Sequence, residues 1–270
     1  MKIQYKRVSL YRNVVPPQIK ALIGCIDLTN LDVQATQTDI KLLCKRAYEN
    51  ETAAVCVNPI YVKFAAMELL NLASDGLKPR PRVVGVIGGF PLSATFSEVK
   101  LLETKMVLDA GANEVDMVIN VPALLSGNDQ LVCEEIEACK ALTSEAGVPL
   151  KVILESSNLG SSEMIRKASR LAILAGADFI KTSTGFGKGG ATPEAIQIMA
   201  TVIAEHLSET GHRVGIKPSG GIRSAEQAKA YAKIVRSTID DTAALPAYFR
   251  FGASGLLQAL LSNSESMTDY

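Results

Sequence analysis

Eight short apolar runs, rich in valine and isoleucine, recur along the chain at nearly constant spacing, and no other feature limits the fold as sharply. They cover 21–28, 53–58, 82–88, 114–120, 150–156, 179–184, 214–218 and 249–254, with successive starts 29 to 36 residues apart. That spacing is the length of one βα unit with its loops. Most of the runs are near-continuous rather than alternating, as expected for parallel strands covered on both faces.

The stretches between them carry helix signals. Ser97 is expected to cap a run through Val99, Leu101, Leu102, Met106 and Val107 that stops at Gly111. Ser161 and Ser162 precede a second, closed by Gly176, and Ser224 starts another. Thr192-Pro193-Glu194 reads as an N-cap, a proline at the first helical position and an acidic first turn. Two helix-to-strand joints nearly repeat, "DAGANEVDMV" at 109–118 and "LAGADFIKTS" at 174–183. A repeated joint points to a repeated architecture. Eight units predict an α/β fold of the (β/α)8 TIM-barrel type rather than an open doubly wound sheet. The expected organisation is one domain over 1–270, with a barrel core of about 21–261. The first 20 or so residues and the polar tail 262–270 are expected to lie outside it.

Charge narrows the function classes. Twenty-eight basic residues balance 28 acidic ones without a dense basic block, which argues against nucleic acid or an anionic membrane as main partner. No apolar run reaches membrane-spanning length, and the first residues lack a signal-peptide core. Cys25, Cys44, Cys56, Cys133 and Cys139 form an odd set without C-x-x-C spacing, read as reduced thiols in a cytoplasmic protein.

Chemistry in such a barrel collects at the C-terminal ends of the strands. Asp27 is expected to end the first strand, Asp116 to lie in the fourth, Lys151 and Glu155 in the fifth, Lys181 in the sixth and Lys217 in the seventh. A strand lysine can be a plain structural ion pair, and Lys151, at the far end of its strand, is read that way. Glu155 can serve as partner to an interior lysine. Lys181 and Lys217 together are different, because consecutive strands put two ammonium groups side by side. Repulsion and desolvation should discharge one of them near neutral pH. A neutral amine beside a cation attacks carbonyls, and the remaining cation can move protons with Asp116 as relay. The expected chemistry is a Schiff base with an aldehyde or ketone; the residues alone leave open which lysine attacks.

Glycine supplies the second signal. "STGFGKGGAT", "KPSGGIRS" and "FRFGASG" follow strands six, seven and eight. Loops after strands seven and eight commonly hold phosphate on backbone N–H groups and a helix N-terminus. Gly220, Gly221, Gly252 and Ser254 fit that role, with Lys188 as an added charge; the plain alternative is that these glycines only allow tight turns. A metal-dependent aldolase would want clustered histidines, and His206 and His212 both lie near the end of the helix after strand six. No metal is therefore expected, and with "VIGGFP" no dinucleotide fingerprint and no Walker-type loop present, no cofactor is expected either. No histidine is placed to activate Cys56, which reads as a core thiol.

The motifs "EVDMVIN", "LKVILES", "ADFIKTSTGF", "VGIKPSGGIR" and "FRFGASGLL" resemble deoxyribose-phosphate aldolase, a class I aldolase on a (β/α)8 barrel, over about 27–257. The resemblance implies reversible cleavage of 2-deoxy-D-ribose 5-phosphate to D-glyceraldehyde 3-phosphate and acetaldehyde. It implies Lys181 as Schiff-base lysine, Lys217 as the lysine that lowers its pKa, and Asp116 as acid–base residue. Asp27, Cys56, Thr182, Gly185, Gly220, Gly221, Gly252 and Ser254 match substrate-binding positions; Tyr270, Lys188 and Glu155 are accessory candidates. One departure is Gly255, where some members carry a second serine. The expected partner is a small phosphorylated sugar, with self-association open. Alternatives are another Schiff-base aldolase, a phosphosugar isomerase using Asp116 and Glu155, and a non-catalytic binding scaffold.

Overall fold

The computed structural model describes residues 15–266. Eight parallel strands alternate with helices: β1 (Ile26–Asn30), β2 (Ala54–Val57), β3 (Arg82–Ile87), β4 (Glu114–Val118), β5 (Leu150–Ile153), β6 (Phe179–Lys181), β7 (Gly215–Lys217) and β8 (Phe251–Ala253). Neighbours in sequence are neighbours in the sheet, and β1 also pairs with β8. Parallel bridges Ile216–Phe249 and Ser219–Gly252 join the last seam and close the (β/α)8 barrel. The expected strands from the second to the eighth are present in shortened form.

The first expected strand needs correction. Residues from Pro17 to Ile23 form a helix, α1 (Pro17–Ile23), and the strand begins only at Ile26. Pro17 at the helix start and an apolar face of Ile19, Leu22 and Ile23, all buried, explain the assignment. This segment therefore belongs to the packed core rather than outside it, and it contacts α10 (Leu256–Ser266). The tail also starts later than expected, because α10 runs through Ser266.

The helices around the barrel are α2 (Gln37–Asn50), α3 (Val62–Leu72), α4 (Ser97–Asp109), α6 (Asp129–Glu145), α7 (Ser162–Leu174), α8 (Pro193–Thr210) and α9 (Ala225–Thr238), with a short extra turn, α5 (Val121–Leu125), after β4. Ser161, Thr192 and Ser224 cap α7, α8 and α9 through their side chains. Gly111 and Gly176 end α4 and α7 with φ of 98° and 92°, the left-handed region that favours glycine. Ser97 does not cap α4: Phe96 holds that position, and the Ser97 hydroxyl donates to Glu135 instead. No helix among the described residues is long and apolar enough to cross a membrane.

The barrel interior is divided. On the β2–β3 side it is apolar, built from Ala54, Cys56, Val84 and Val86 with Leu31 and Phe90. The β1 and β4–β8 side carries charge: Asp27, Glu114, Asp116, Lys151, Lys181, Lys217 and Arg250 are all buried. Gly215 makes room for the Phe179 ring, which a side chain at 215 would strike. The Arg250 guanidinium lies 5.9 Å from the centre of that ring.

Candidate active site

Lys181 and Lys217 end β6 and β7 and are register partners. Side-chain direction in a strand alternates, so partners in register share a face. Both ammonium groups donate to the same oxygen, Oδ2 of Asp116, at 2.7 and 2.8 Å. Those bonds laid end to end limit the nitrogen–nitrogen distance to 5.5 Å. Lys217 also donates to Oδ2 of Asp27 at 2.5 Å. Lys181 is 2% exposed, and Lys217 and Asp116 are wholly buried.

The two lysines differ in surroundings. Burial pushes the Lys181 amine below the ordinary lysine value, and neighbouring Lys217 adds to this against the pull of Asp116. Burial also opposes the charge on Lys217, but Asp116 and Asp27 outweigh it and hold the ammonium above the usual range. Burial opposes ionisation of Asp116 too, yet Lys151, Lys181 and Lys217 together hold its carboxyl well below the carboxylate range. The surroundings thus favour proton release from Lys181, the charged form of Lys217 and the ionised form of the carboxylate between them. That combination can form an imine and move protons around it.

Three placements differ from expectation. Asp27 is the second residue of β1, deep in the barrel, not at the strand end. It lies below its ordinary value, since Lys217, Arg250 and Lys151 overcome the burial penalty. Lys151 is not remote from the chemistry: it is the register partner of Asp116, its ammonium donates to Oδ1 at 3.0 Å, and it pairs with Glu114 at 2.6 Å. Glu155 lies beyond β5, with φ of 54°, and its Oε2 accepts from both the backbone N–H and the hydroxyl of Thr184. It faces the loop after β6 rather than either interior lysine.

Two charged residues went unnoticed in the sequence. Arg250 grips Glu114 with two bonds of 2.9 Å and reaches Oδ1 of Asp27 at 2.8 Å. The period-two alternation points to both, since Glu114 stands two residues before Asp116 and Arg250 two before Gly252.

A cleft of about 850 Å³ opens at the C-terminal end of the barrel. Gly185, Gly220, Gly221, Gly252 and Ser254 all line it, as do Thr184, Ser219 and the cationic Arg46 and Arg223. Gly185, Gly220 and Gly221 have φ of 91°, 88° and 75°, so these turns bring bare backbone to the cleft. Ser254 and Gly255 lead into the N-terminus of α10 at the same wall. Thr182 takes another part. Its hydroxyl donates to the Ser219 carbonyl and accepts from the Ser219 N–H, tying β6 to the strand beyond it. Lys188 is exposed and outside the cleft lining, and Tyr270 lies outside the described residues. Cys56 is buried, which pushes its thiol up despite the nearby lysines. Among the described residues no group of three or more His, Cys, Asp or Glu is arranged to hold a metal.

Known proteins share this arrangement of chain. A deoxyribose-phosphate aldolase of Thermococcus gammatolerans is 46% identical over 205 residues, 76% of this chain and 85% of the relative. A solved structure from Coccidioides immitis, provisionally named deoxyribose-phosphate aldolase, superposes with a TM-score of 0.77 at 32% identity, over 92% of this chain and 87% of that one. The deoxyribose phosphate aldolase of Aeropyrum pernix, described as tetrameric, gives a TM-score of 0.73 at 29% identity, over 93% of each chain. The profile described as "DeoC/LacD family aldolase" matches residues 22–261, the barrel from α1 into α10, and the chain belongs to that aldolase family.

Proposed function

We propose that the protein is a deoxyribose-phosphate aldolase in which Lys181 forms the Schiff base, Lys217 and Asp116 move protons, and the glycine-rich wall of the cleft holds the phosphate. One observation carries the reading: two buried lysines share a single carboxylate oxygen, so the less supported one, Lys181, gives up its proton. Its free amine adds to the C1 carbonyl of open-chain 2-deoxyribose 5-phosphate. Proton transfer and loss of water from the adduct leave an iminium. A base takes the C3 hydroxyl proton, the C2–C3 bond breaks, and its electron pair moves into the iminium to give an enamine. Glyceraldehyde 3-phosphate departs. Protonation at C2 and hydrolysis then release acetaldehyde and return the amine. Asp116 and Lys217 lie within hydrogen-bond reach of the Lys181 nitrogen or of each other, as these transfers require.

The phosphate belongs to Gly220, Gly221, Gly252 and Ser254, with Arg223 adding charge; backbone at turns and at a helix N-terminus suits an anion. Asp27 acts through its bond to Lys217, and Cys56 through the apolar wall facing the lysines. The isomerase alternative lacks its second acid–base residue, because Glu155 is engaged with Thr184. We read the barrel, about 21–261, as one catalytic domain acting without cofactor. Free Cys25, Cys44, Cys56, Cys133 and Cys139 support a reducing, cytoplasmic setting. Exposed Met67, Leu70, Leu102 and Met106 on α3 and α4 support self-association, readable by light scattering. The direct assay is release of glyceraldehyde 3-phosphate from deoxyribose 5-phosphate with a chelator present. Full turnover is expected, and its absence with well-folded protein defeats the reading.

A further inference from the structure

The barrel floor is where the proposed mechanism stops and the charges do not. Arg250, Glu114 and Lys151 have no part in that mechanism, yet with Asp27, Lys217 and Asp116 they form one hydrogen-bonded ring to which Lys181 is attached. One path runs from Arg250 through Asp27 to Lys217 and Asp116, with bonds of 2.8, 2.5 and 2.8 Å. Another runs from Arg250 through Glu114 and Lys151 to Asp116, with contacts of 2.9, 2.6 and 3.0 Å. Both meet Lys181 at Asp116.

A barrel floor has no need of such a ring. The β2–β3 side of the same interior is filled by Ala54, Cys56, Val84 and Val86. Buried ion pairs can often be exchanged for packed apolar groups at no loss of stability. The charged side therefore calls for another reason.

We propose that Arg250 and Glu114 are a positioning pair for the Schiff-base lysine: they fix the charge count of the ring and the orientation of the two aspartates to which the lysines bind. The inference rests on Lys181 being the nucleophile. Ring and Lys181 together set buried Asp27, Glu114 and Asp116 against buried Lys151, Lys181, Lys217 and Arg250, three anions and four cations when all are charged. Losing the proton of Lys181 brings the sum to zero. The other groups are unsuited to give theirs up. Arg250 remains a cation at any working pH, and Lys151 and Lys217 each contact two or more carboxylates. Among the described residues, Lys181 pairs with one carboxylate, that of Asp116. Arg250 also takes Oδ1 of Asp27, which leaves Oδ2 for Lys217.

The groups around Lys181 come from every wall: Asp27 from β1, Cys56 from β2, Glu114 and Asp116 from β4, Lys151 from β5, Lys217 from β7 and Arg250 just before β8. β3 contributes Val84 and Val86. Arg82 reaches Glu114 at 3.2 Å from the half-exposed rim, and the Glu155 carboxylate turns to Thr184.

The test is the pH dependence of kcat/KM for deoxyribose 5-phosphate, with the adduct from acetaldehyde and cyanoborohydride mapped in parallel. Arg250→Gln removes a cation and should move the acidic midpoint up by about one pH unit, and Glu114→Gln should move it down by about as much. The double variant Arg250→Gln/Glu114→Gln and the conservative Arg250→Lys should return it close to the parent value. A purely structural pair would lower activity in both single variants and shift neither midpoint, or shift both the same way, which overturns the inference. If Arg250→Gln does not fold, Glu114→Gln decides alone: a downward shift supports the proposal and an unmoved midpoint ends it. Unmoved midpoints with the adduct still on Lys181 refute the floor pair only. An adduct elsewhere refutes the underlying mechanism and this inference with it.

Discussion

Lys181 and Lys217 face each other as register partners on β6 and β7 and donate to one and the same oxygen of Asp116. The second carboxylate contact of Lys217, to Asp27, breaks the symmetry between them. A lysine with two carboxylates holds its proton more firmly in a dry interior than one that shares a single carboxylate with a cation. The asymmetry, more than the burial common to both, is the basis of the proposed division into nucleophile and proton carrier.

Replacing Lys217 by Leu should therefore act on Lys181. Without the neighbouring cation, the Lys181 amine keeps Asp116 Oδ2 to itself and its pKa rises. We expect turnover to fall by roughly 10²–10⁴-fold, the usual worth of a positioned acid–base group, and the acidic limb of the rate profile to move to higher pH. A near-normal rate with an unmoved limb contradicts the role given to Lys217.

Asp27 links the site to stability. Its folded pKa is depressed, so the stability it contributes is fully present above the unfolded value of about 3.9 and is lost as pH falls from there through the folded value. Lys217 is raised, so its contribution is complete below about 10.4 and is lost only as pH climbs through its higher folded value. Asp27→Asn should flatten the acid side of the unfolding free energy measured by urea titration between about pH 2 and 4. A slope equal to the parent's would show that Asp27 titrates as it does unfolded.

Gly252, a proposed phosphate position, is also a packing requirement. A side-chain carbon there would collide with the Ser219 hydroxyl and come within 3.2 Å of Lys217 Cε. Gly252→Ala should lower stability by about 1–3 kcal/mol and reduce kcat as Lys217 is displaced. Thermal melts and steady-state kinetics read both, and unchanged kcat would mean that Lys217 has room to move.

Glu155 separates the aldolase from the isomerase reading. Its Oε2 accepts two bonds from Thr184, which a glutamine carbonyl can also accept. Glu155→Gln should keep turnover within about tenfold of the parent, since a positioned acid or base is worth 10²–10⁴. A loss beyond a hundredfold would make the carboxylate an acid–base participant.

The barrel and its two lysines were legible because each rests on a strong local signal: regular strand spacing, and polar residues inside apolar runs. What escaped detection depended on finer geometry. The run from Ala21 to Leu28 is apolar but for Asp27, and periodicity alone cannot divide it into the end of α1 and the start of β1. Glu155 falls within the fifth apolar run, but a left-handed backbone turns it out of the strand. Arg250 and Glu114 sit among aromatic and apolar neighbours, and only inward–outward parity counted back from Gly252 and Asp116 reveals them. Lys151 sits at the start of its strand, yet register with Asp116 brings it to the site. Parallel strands are staggered around a barrel, so position along a strand does not give height in the interior.

In the proposed reaction the Lys181 amine captures the carbonyl. Incubation with acetaldehyde and borohydride, followed by peptide mapping, traps the imine where it forms. A reduced two-carbon adduct is expected on Lys181, in the peptide that carries "FIKTSTG". An adduct on Lys217, or no adduct on protein that still cleaves deoxyribose 5-phosphate, contradicts it.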